Sequence, residues 1–168
     1  VDLSDGQSVV LETRFVLLCT GSRPHIPPIE GLSTEWCLTS ENLFRLEAPP
    51  ASLAIIGGGP MGVEMAQALQ RLGVSVTVLQ RSHTLLPQLE PSLVARLAEV
   101  LALEGVVVHT DADVRRVQRR PGGTTVLDAI VGHDGARVRI EVEGVLVAAG
   151  RTPNTHGLGL EDAGIVVA

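Results

Sequence analysis

A glycine-rich turn between a strand-like run and a helix-like repeat limits the fold of this chain more than any other feature. The apolar run Ser52–Ile56 leads directly into a GxGxxG motif made by Gly57, Gly59 and Gly62. The first glycine allows the tight bend, the second lets backbone approach a pyrophosphate, and the third lets the helix pack closely on the strand. Unpaired amides at the helix N-terminus then face the phosphates. The motif predicts a dinucleotide-binding turn.

The residues around the turn support this interpretation, which matters because 18 glycines in 168 residues give loose matches by chance. A short, apolar and partly β-branched run is typical of a buried parallel strand. Helical spacing follows at Met61, Met65, Leu69 and Leu72; Gly73 ends the helix, and Val74, Val76 and Val78 begin a second strand. This order predicts a right-handed βαβ unit of a Rossmann-like α/β fold. The alternative is a glycine-rich turn that binds no nucleotide.

Changes of hydrophobic period predict the elements that follow. Pro91 opens a second helix that Gly105 ends, and its predicted apolar face consists of Leu93, Val94, Leu97, Val100 and Leu101. Val106–His109 is predicted to be a third parallel strand. From Val114 the period falls to 2, with turn signals at 121–123 and 133–135, which predicts a three-stranded β-meander. The apolar run Val145–Ala149 then returns to the parallel sheet.

The first fifty residues predict strands, an extended loop and a short helix. Val1–Leu18 alternates across a turn at Asp5-Gly6 and runs into a buried strand, in which Cys19 is a small buried hydrophobe. Ser40 is expected to cap a short helix over 41–46, and Pro49-Pro50 is a linker. Because the chain does not open with Met, we expect a piece of a longer protein.

Composition and charge exclude several classes of function. The formal net charge of −6 argues against a nucleic-acid partner, and we expect the basic cluster of Arg115, Arg116, Arg119 and Arg120 to be a solvated strand face. No apolar run approaches the roughly 20 residues that span a bilayer, and no signal-peptide pattern is present, so we expect no membrane partner and a cytoplasmic location. Cys19, Cys37 and the five histidines lack metal-ligand spacing, so we predict no metal and no disulfide.

The order of three motifs resembles that of the FAD-dependent pyridine nucleotide-disulfide oxidoreductases. An apolar strand runs into Cys19-Thr-Gly21, the GxGxxGxE motif follows, and Gly150-Arg-Thr-Pro-Asn154 comes after the meander. The resemblance covers nearly the whole chain and is strongest to the mercuric reductase type, with the dihydrolipoamide dehydrogenase and glutathione reductase types close to it. It implies a nicotinamide-nucleotide domain inserted into an FAD domain.

The resemblance implies four segments. Residues 1–32 are the C-terminal part of the first FAD-domain segment, 33–50 a connector with a short helix, 51–149 the NAD(P)H-binding domain, and 150–168 an incomplete return to the FAD domain. The family's N-terminal FAD fingerprint, CxxxxC redox pair and C-terminal dimerisation domain do not occur in this sequence. We therefore expect a fragment that is inactive alone. Its parent is expected to be a homodimeric flavoenzyme that passes hydride to FAD and electrons to a disulfide or a metal ion.

The resemblance also implies site residues. NAD(P)H is expected to contact Gly57, Gly59, Pro60, Met61, Gly62, Glu64, Gln80, Arg81, Gly150 and Arg151, while Thr20 and Gly21 lie on the FAD side. Glu64 falls where relatives pair a glutamate with an FAD-domain lysine near the nicotinamide, although a favourable carboxylate in a first helical turn is an equal interpretation. Pro60 stands where glutathione reductases have a gating tyrosine, and Arg151 either faces the cofactor or fixes the exit turn. No catalytic residue is expected within the fragment.

The end of the second strand bears on the choice between NADH and NADPH. An acidic residue there binds the adenosine ribose hydroxyls and selects NAD, whereas this chain has Gln80 followed by Arg81. A neutral residue removes repulsion against a 2′-phosphate, and a guanidinium can bind it. NADPH is therefore favoured, and His83 is a second candidate for contact with the phosphate. Pro87 stands where glutathione reductases have another basic residue, which weakens the preference.

Two other interpretations stay open at this point. The chain is also compatible with the nucleotide domain of an NADH oxidase or a ferredoxin-reductase-type flavoenzyme, whose parent has no redox disulfide. A third class is a non-catalytic binding module that keeps the fold and has lost nucleotide affinity. The complete glycine motif argues against that last class.

Overall fold

The structure is a computed structural model that describes residues 4–167 of the chain. Two units are distinguished: one is Arg23–Thr152, and the other combines the residues up to Ser22 with those from Pro153 onward. In chain order, the described elements are β1 (Ser22–Pro24), a 3₁₀ turn (Leu43–Arg45), β2 (Ser52–Ile56), α1 (Pro60–Arg71), β3 (Ser75–Leu79), α2 (Pro91–Leu103), β4 (Val107–His109), β5 (Asp113–Arg119), β6 (Thr125–Val131), β7 (Ala136–Val142), β8 (Gly144–Val147) and β9 (Arg151–Pro153).

A four-stranded parallel sheet lies at the centre of the larger unit. Its strand order is β4-β3-β2-β8, and β2 is parallel to both of its neighbours, with Ile55 opposite Val78 on one side and Leu146 on the other. Strands β5, β6 and β7 form a separate antiparallel sheet. The predicted βαβ unit, third parallel strand, meander and return strand are all confirmed.

Side chains on the two faces of the parallel sheet belong to different cores. Leu53 and Ile55 pack with Val63 and Ala66 of α1 and with residues of α2. The alternate residues Ala54 and Ile56 pack instead with the meander, in a cluster that also includes Val117, Leu127 and Val142. Because successive strand residues point to opposite faces, an uninterrupted apolar strand requires a covering layer on each side. The helices supply one layer and the meander the other.

Helix α2 buries a narrower face than the sequence predicts. Val94 and Leu101 are buried and Leu97 packs against the core, as expected. Leu93, however, is 69% exposed, and Val100 is only half-buried. Ala98 takes their place beside the sheet. Counting apolar residues overestimated the contact, because a helix meets a sheet along one stripe at i, i+3, i+4 and i+7.

The connector before β2, residues 33–50, makes contacts with the parallel sheet that the sequence does not predict. Leu38 donates its amide to Val145 O at 2.7 Å and accepts from Val147 N at 2.8 Å, which adds a bridge at the β8 edge of the sheet. Cys37 beside it is buried, and this burial raises the pKa of its thiol. The predicted helix over 41–46 is wrong: only the 3₁₀ turn forms, and Ser40 does not cap it. Asn42 Oδ1 instead accepts from Thr39 N, which closes a tight turn.

The predicted N-terminal strands are wrong for the part that the structure describes; residues 1–3 lie outside it. Residues 4–21 contain no strand element. Phe15 and Leu17 are 83% and 87% exposed, and Cys19 is exposed rather than buried. A strand needs a hydrogen-bonded neighbour along its length, and none of the three described sheets includes this segment.

The basic cluster of β5 and the residue after it, Arg120, is a solvated face, as predicted. Arg116 forms an ion pair with Glu30 at 3.0 Å and Arg120 with Glu141 at 3.2 Å. Arg115 pairs with Asp113, and Arg119 lies over the Trp36 ring. All four arginines are exposed, and three of them are paired with acidic side chains. Within residues 4–167, no helix is long and apolar enough to cross a membrane.

Candidate functional site

The glycine turn is hydrogen-bonded to β3 and lies close to Ala148, the residue after β8. Gly57 donates its amide to Leu79 O at 2.9 Å. Its φ of +114° is one that side chains rarely adopt, and a Cβ here would collide with the carbonyl oxygen of Ala148. Only glycine satisfies both conditions. The first position of the motif therefore has the tight-bend role that the sequence assigned to it.

The other two motif glycines differ in what surrounds them. A Cβ on Gly62 would collide with the carbonyl oxygen of Gly57 and lie 3.0 Å from its carbonyl carbon, so α1 packs directly on the turn. A Cβ on Gly59 would meet nothing within 4 Å, among the described atoms. Gly59 therefore leaves open space above the backbone, which is the space that a pyrophosphate needs.

Backbone donors face this space at the start of α1. Pro60 occupies the first helical position and has no N–H. Within the described part of the chain, the amides of Gly59, Met61 and Gly62 have no hydrogen-bond acceptor; the first helical bond runs from Val63 N to Gly59 O at 3.0 Å. A helix N-terminus with unpaired amides favours an anion. The turn thus fits the diphosphate of a dinucleotide in shape and in donor chemistry.

Gln80 lies beneath the turn rather than at its rim. Its side chain is buried, accepts from Gly58 N through Oε1 at 2.8 Å and donates through Nε2 to Thr84 O at 3.2 Å. Contact between this residue and a ribose stays a prediction. Sequence reasoning missed Gly58. This middle glycine of Gly57-Gly-Gly59 stands at a variable position of the motif, and its presence there signalled another close contact.

Arg81 is the first exposed residue after β3. Among the described residues its guanidinium has no hydrogen-bond or ion-pair partner, and His83, also exposed, has none. Two neighbouring cationic or protonatable side chains therefore point away from the core at the carboxyl end of the parallel sheet. This is the end at which open α/β sheets bind ligands.

The remaining predicted residues of the larger unit lie in varied settings. Glu64 is exposed on α1, whereas Met61 is half-buried and packs against the core between the helices and the parallel sheet. Gly150 accepts from His25 N at 3.0 Å. Arg151 donates to Ser40 Oγ at 3.2 Å, which ties the exit turn to the connector. Their contact with a nucleotide stays a prediction.

Thr20 and Gly21 belong to the smaller unit, where they are bonded to Asn154. Thr20 Oγ1 donates to Asn154 O at 2.7 Å, and Asn154 Nδ2 donates to Thr20 O at 3.0 Å. Asn154 N also donates to Gly21 O at 3.0 Å. Two motifs 134 positions apart in sequence are thereby joined.

A second concave surface lies on the meander. It is a groove of about 530 Å³ lined by Arg115, Asp128, Ala129, Ile130, Arg137, Val138 and Arg139. Arg139 is bound to Asp128 at 2.8 Å, which holds the pKa of that carboxyl below its usual range. No residue of the glycine turn lines this groove. Among the described residues, no group of three or more His, Cys, Asp or Glu is arranged to hold a metal ion.

Comparison with known proteins agrees with this geometry. The family model described as pyridine nucleotide-disulphide oxidoreductase matches residues 1–168. Mercuric reductase of Streptomyces lividans is 38% identical over 98% of the chain, and glutathione reductase of Burkholderia cepacia is 35% identical over 90%. Dihydrolipoyl dehydrogenase of Dictyostelium discoideum mitochondria is 31% identical over 98%.

Solved structures are similar as well. LpdA from Mycobacterium tuberculosis matches 99% of the chain and 35% of its own, with 34% identity and a TM-score of 0.81. The Cu(II) complex of the HOCl-induced flavoprotein disulfide reductase RclA from Escherichia coli matches 88% of the chain and 32% of its own, with 31% identity and a TM-score of 0.77. The chain spans 34% of the Streptomyces lividans mercuric reductase and 32% of the Burkholderia cepacia glutathione reductase.

Proposed function

Because the chain belongs to the pyridine nucleotide-disulphide oxidoreductase family, we propose that it binds a nicotinamide nucleotide at the glycine turn and presents it for hydride transfer to FAD in a longer flavoprotein. Enzymes of this family use FAD and NAD(P)H. The nicotinamide, when bound, supplies the hydride. Residues of this chain bind and orient the nucleotide, with Glu64 as the proposed support near the nicotinamide.

One observation carries the proposal: the open space over Gly59 is bordered by amide donors that have no acceptor among the described residues. A diphosphate placed there would satisfy amides of Gly59, Met61 and Gly62. Such charge-assisted hydrogen bonds are roughly twice as strong as neutral ones. The turn can adopt this shape because positions 57 and 62 carry no side chain. A Cβ at either position would collide with backbone atoms.

We further propose that NADPH is the preferred nucleotide, through Arg81. Its exposed guanidinium has no partner among the described residues, and Arg81 is the second residue after the end of β3. NADPH differs from NADH by the 2′-phosphate, which Arg can bind in a bidentate manner. No acidic side chain occupies positions 80 to 83 to repel it.

The wider assignment follows from the family. We propose that residues 1–32 and 150–168 belong to the FAD domain, with Thr20 and Gly21 on the FAD side. Residues 33–50 form the connector, and residues 51–149 form the nucleotide domain. We propose a homodimeric cytoplasmic parent whose electrons pass to a disulfide or a metal ion. The first acceptor class is in the family description and the second is in the name mercuric reductase.

Calorimetric titration of the 168-residue chain with NADPH and NADH at low salt tests both proposals. We expect both nucleotides to bind and NADPH to bind more tightly. Arg81→Ala should weaken NADPH about tenfold, since a hydrogen bond to a charged group contributes about 1.5 kcal/mol, and should leave NADH nearly unchanged. Arg96→Ala is the matched control, because Arg96 is an exposed arginine on α2 that pairs with Glu99.

Three results would contradict these proposals separately. If neither nucleotide binds, the chain behaves as the non-catalytic module and the binding function is wrong. If Arg81→Ala weakens both nucleotides equally, the binding function stands and the role of Arg81 in phosphate recognition is wrong. Tighter binding of NADH by the unmodified chain would likewise refute the NADPH preference alone.

A further inference from the structure

Gly58 is held on three sides by the segment that follows β3. Its N–H donates to Gln80 Oε1 at 2.8 Å, and its carbonyl oxygen accepts from Leu86 N at 3.0 Å. On the third side, a Cβ at position 58 would lie 2.5 Å from Leu85 Cδ2 and 3.0 Å from Gln80 Cβ. The middle of the glycine turn is therefore positioned by contacts that come from 22 to 28 residues later in the sequence.

Gln80 is itself fixed at every polar group. Its backbone N–H donates to His109 O at 2.8 Å, and its carbonyl oxygen accepts from Ala112 N at 2.9 Å. Its side-chain Nε2 donates to Thr84 O at 3.2 Å, and only 8% of the residue is exposed. A glutamine uses both ends of its amide here, since one end must accept from Gly58 and the other must donate to Thr84.

The segment that contacts Gly58, residues 84–86, includes a residue in an unfavourable backbone conformation. Leu86 has a φ of 44°, a left-handed value that a branched apolar side chain rarely adopts. Leu85 and Leu86 are both buried, and the hydrogen bond from Leu86 to Gly58 lies at this residue. Such a conformation persists only where the surrounding contacts fix it. Gly58 and residues 84–86 therefore support each other.

We propose that Gln80 is a positioning residue for the pyrophosphate turn and makes no contact with the adenosine ribose. This inference rests on the proposed function, because it concerns the same nucleotide site. By fixing the Gly58 amide, Gln80 sets the path of backbone between Gly57 and Gly59. Arg81, the next residue, is left to distinguish the two nucleotides.

The two roles predict different patterns of affinity. NADPH and NADH share the same pyrophosphate, so loss of a residue that positions the turn weakens both by one factor. A residue that touches the ribose or its 2′-phosphate changes the ratio of the two affinities. Gln80→Met removes both amide contacts and nearly preserves volume, so it separates these roles.

The test combines amide hydrogen exchange with titration. In the unmodified chain, free of nucleotide, the Gly58 amide should exchange as slowly as that of Gly57, whose acceptor is Leu79 O. In Gln80→Met, Gly58 should exchange at least tenfold faster and Gly57 should not change. Affinities for NADPH and NADH should both fall about tenfold, as expected for one hydrogen bond, with their ratio within twofold of the original.

Gln70→Met is the matched control. Gln70 also accepts from a backbone amide, that of Val76 at 3.0 Å, and it is half-buried at the far end of α1. Its replacement should leave the exchange of Gly58 and both nucleotide affinities unchanged. A loss of affinity equal to that of Gln80→Met would show a general effect on folding and would overturn the assignment.

Other outcomes are equally decisive. A changed NADPH to NADH ratio in Gln80→Met would overturn the inference in favour of direct ribose contact. Fast exchange of Gly58 in the unmodified chain would overturn it even if the variant does not fold. If the unmodified chain binds neither nucleotide while Gly58 is protected, the failure belongs to the proposed function, and the nucleotide role of Gln80 falls with it.

Discussion

Replacing Gly62 by alanine tests how closely α1 packs on the glycine turn. The added Cβ would lie 3.0 Å from the carbonyl carbon of Gly57 and closer still to its oxygen. Gly57 cannot yield easily, because its amide is bound to Leu79 O at 2.9 Å. The first turn of α1 must therefore move away from the sheet, although Val63 and Ala66 are buried there.

Two effects of opposite sign decide the magnitude. Overpacking against fixed backbone costs about 3 kcal/mol, at the upper end of the usual range. Alanine in a helix regains about 1 kcal/mol relative to glycine. The net loss is about 2 kcal/mol in the free energy of unfolding, which corresponds to a fall in Tm of roughly 4–8 °C for a chain of this length.

Gly59→Ala is the contrasting variant in the same motif. Gly59 has φ −76° and ψ −175°, which alanine adopts readily, and its Cβ would meet no described atom within 4 Å. Restricting the unfolded chain stabilises by about 0.4–1 kcal/mol, and a poorer N-cap costs a similar amount. Tm should therefore change by no more than about 3 °C. Nucleotide affinity should nevertheless fall at least about tenfold, because the methyl group enters the space assigned to the pyrophosphate.

Thermal unfolding followed by circular dichroism, together with calorimetric titration of each variant, measures both quantities. A Gly62→Ala variant with the original Tm would refute the close-packing argument. A Gly59→Ala variant that binds NADPH as tightly as the unmodified chain would refute the placement of the pyrophosphate.

Two further predictions concern the packing of the helices. The Arg71 guanidinium hydrogen-bonds Glu104 and holds the pKa of that carboxyl below its usual range, so the pair stabilises the fold at neutral pH and this contribution is lost as pH falls through the lowered pKa. Between about pH 5 and 3, Tm should fall more steeply for the unmodified chain than for Glu104→Gln, and parallel curves would contradict this reasoning. On α2, Leu101→Ala should cost about 2–5 kcal/mol in urea unfolding, since Leu101 is fully buried, whereas Leu93→Ala should cost about 0.5 kcal/mol or less, since Leu93 is 69% exposed. Equal losses of unfolding free energy in the two variants would contradict the narrow face and support the wider apolar face that the sequence predicts.

The sequence by itself determined the order of elements around the turn. Ser52–Ile56 is a strand because a short apolar run can be buried on both faces, and Pro60 begins the helix because its missing N–H costs nothing there. The roles of Gly57 and Gly62 were also predictable, since a tight turn with close helix packing leaves no room for a side chain. These features depend on neighbours in sequence or on a fixed local geometry.

Only the tertiary structure decided which groups meet. Gln80 follows β3 in the sequence, yet its side chain turns under Gly58, since Gly58 N and Thr84 O bond the two ends of its amide. Tertiary structure also decided the exposure of Leu93 and Phe15, which are apolar but exposed. A side chain is buried only where another element packs against it. Periodicity records the preference of each residue for water or for a core. Whether another element packs against a given side chain depends on contacts between residues distant in sequence, and those contacts exist only in the folded chain.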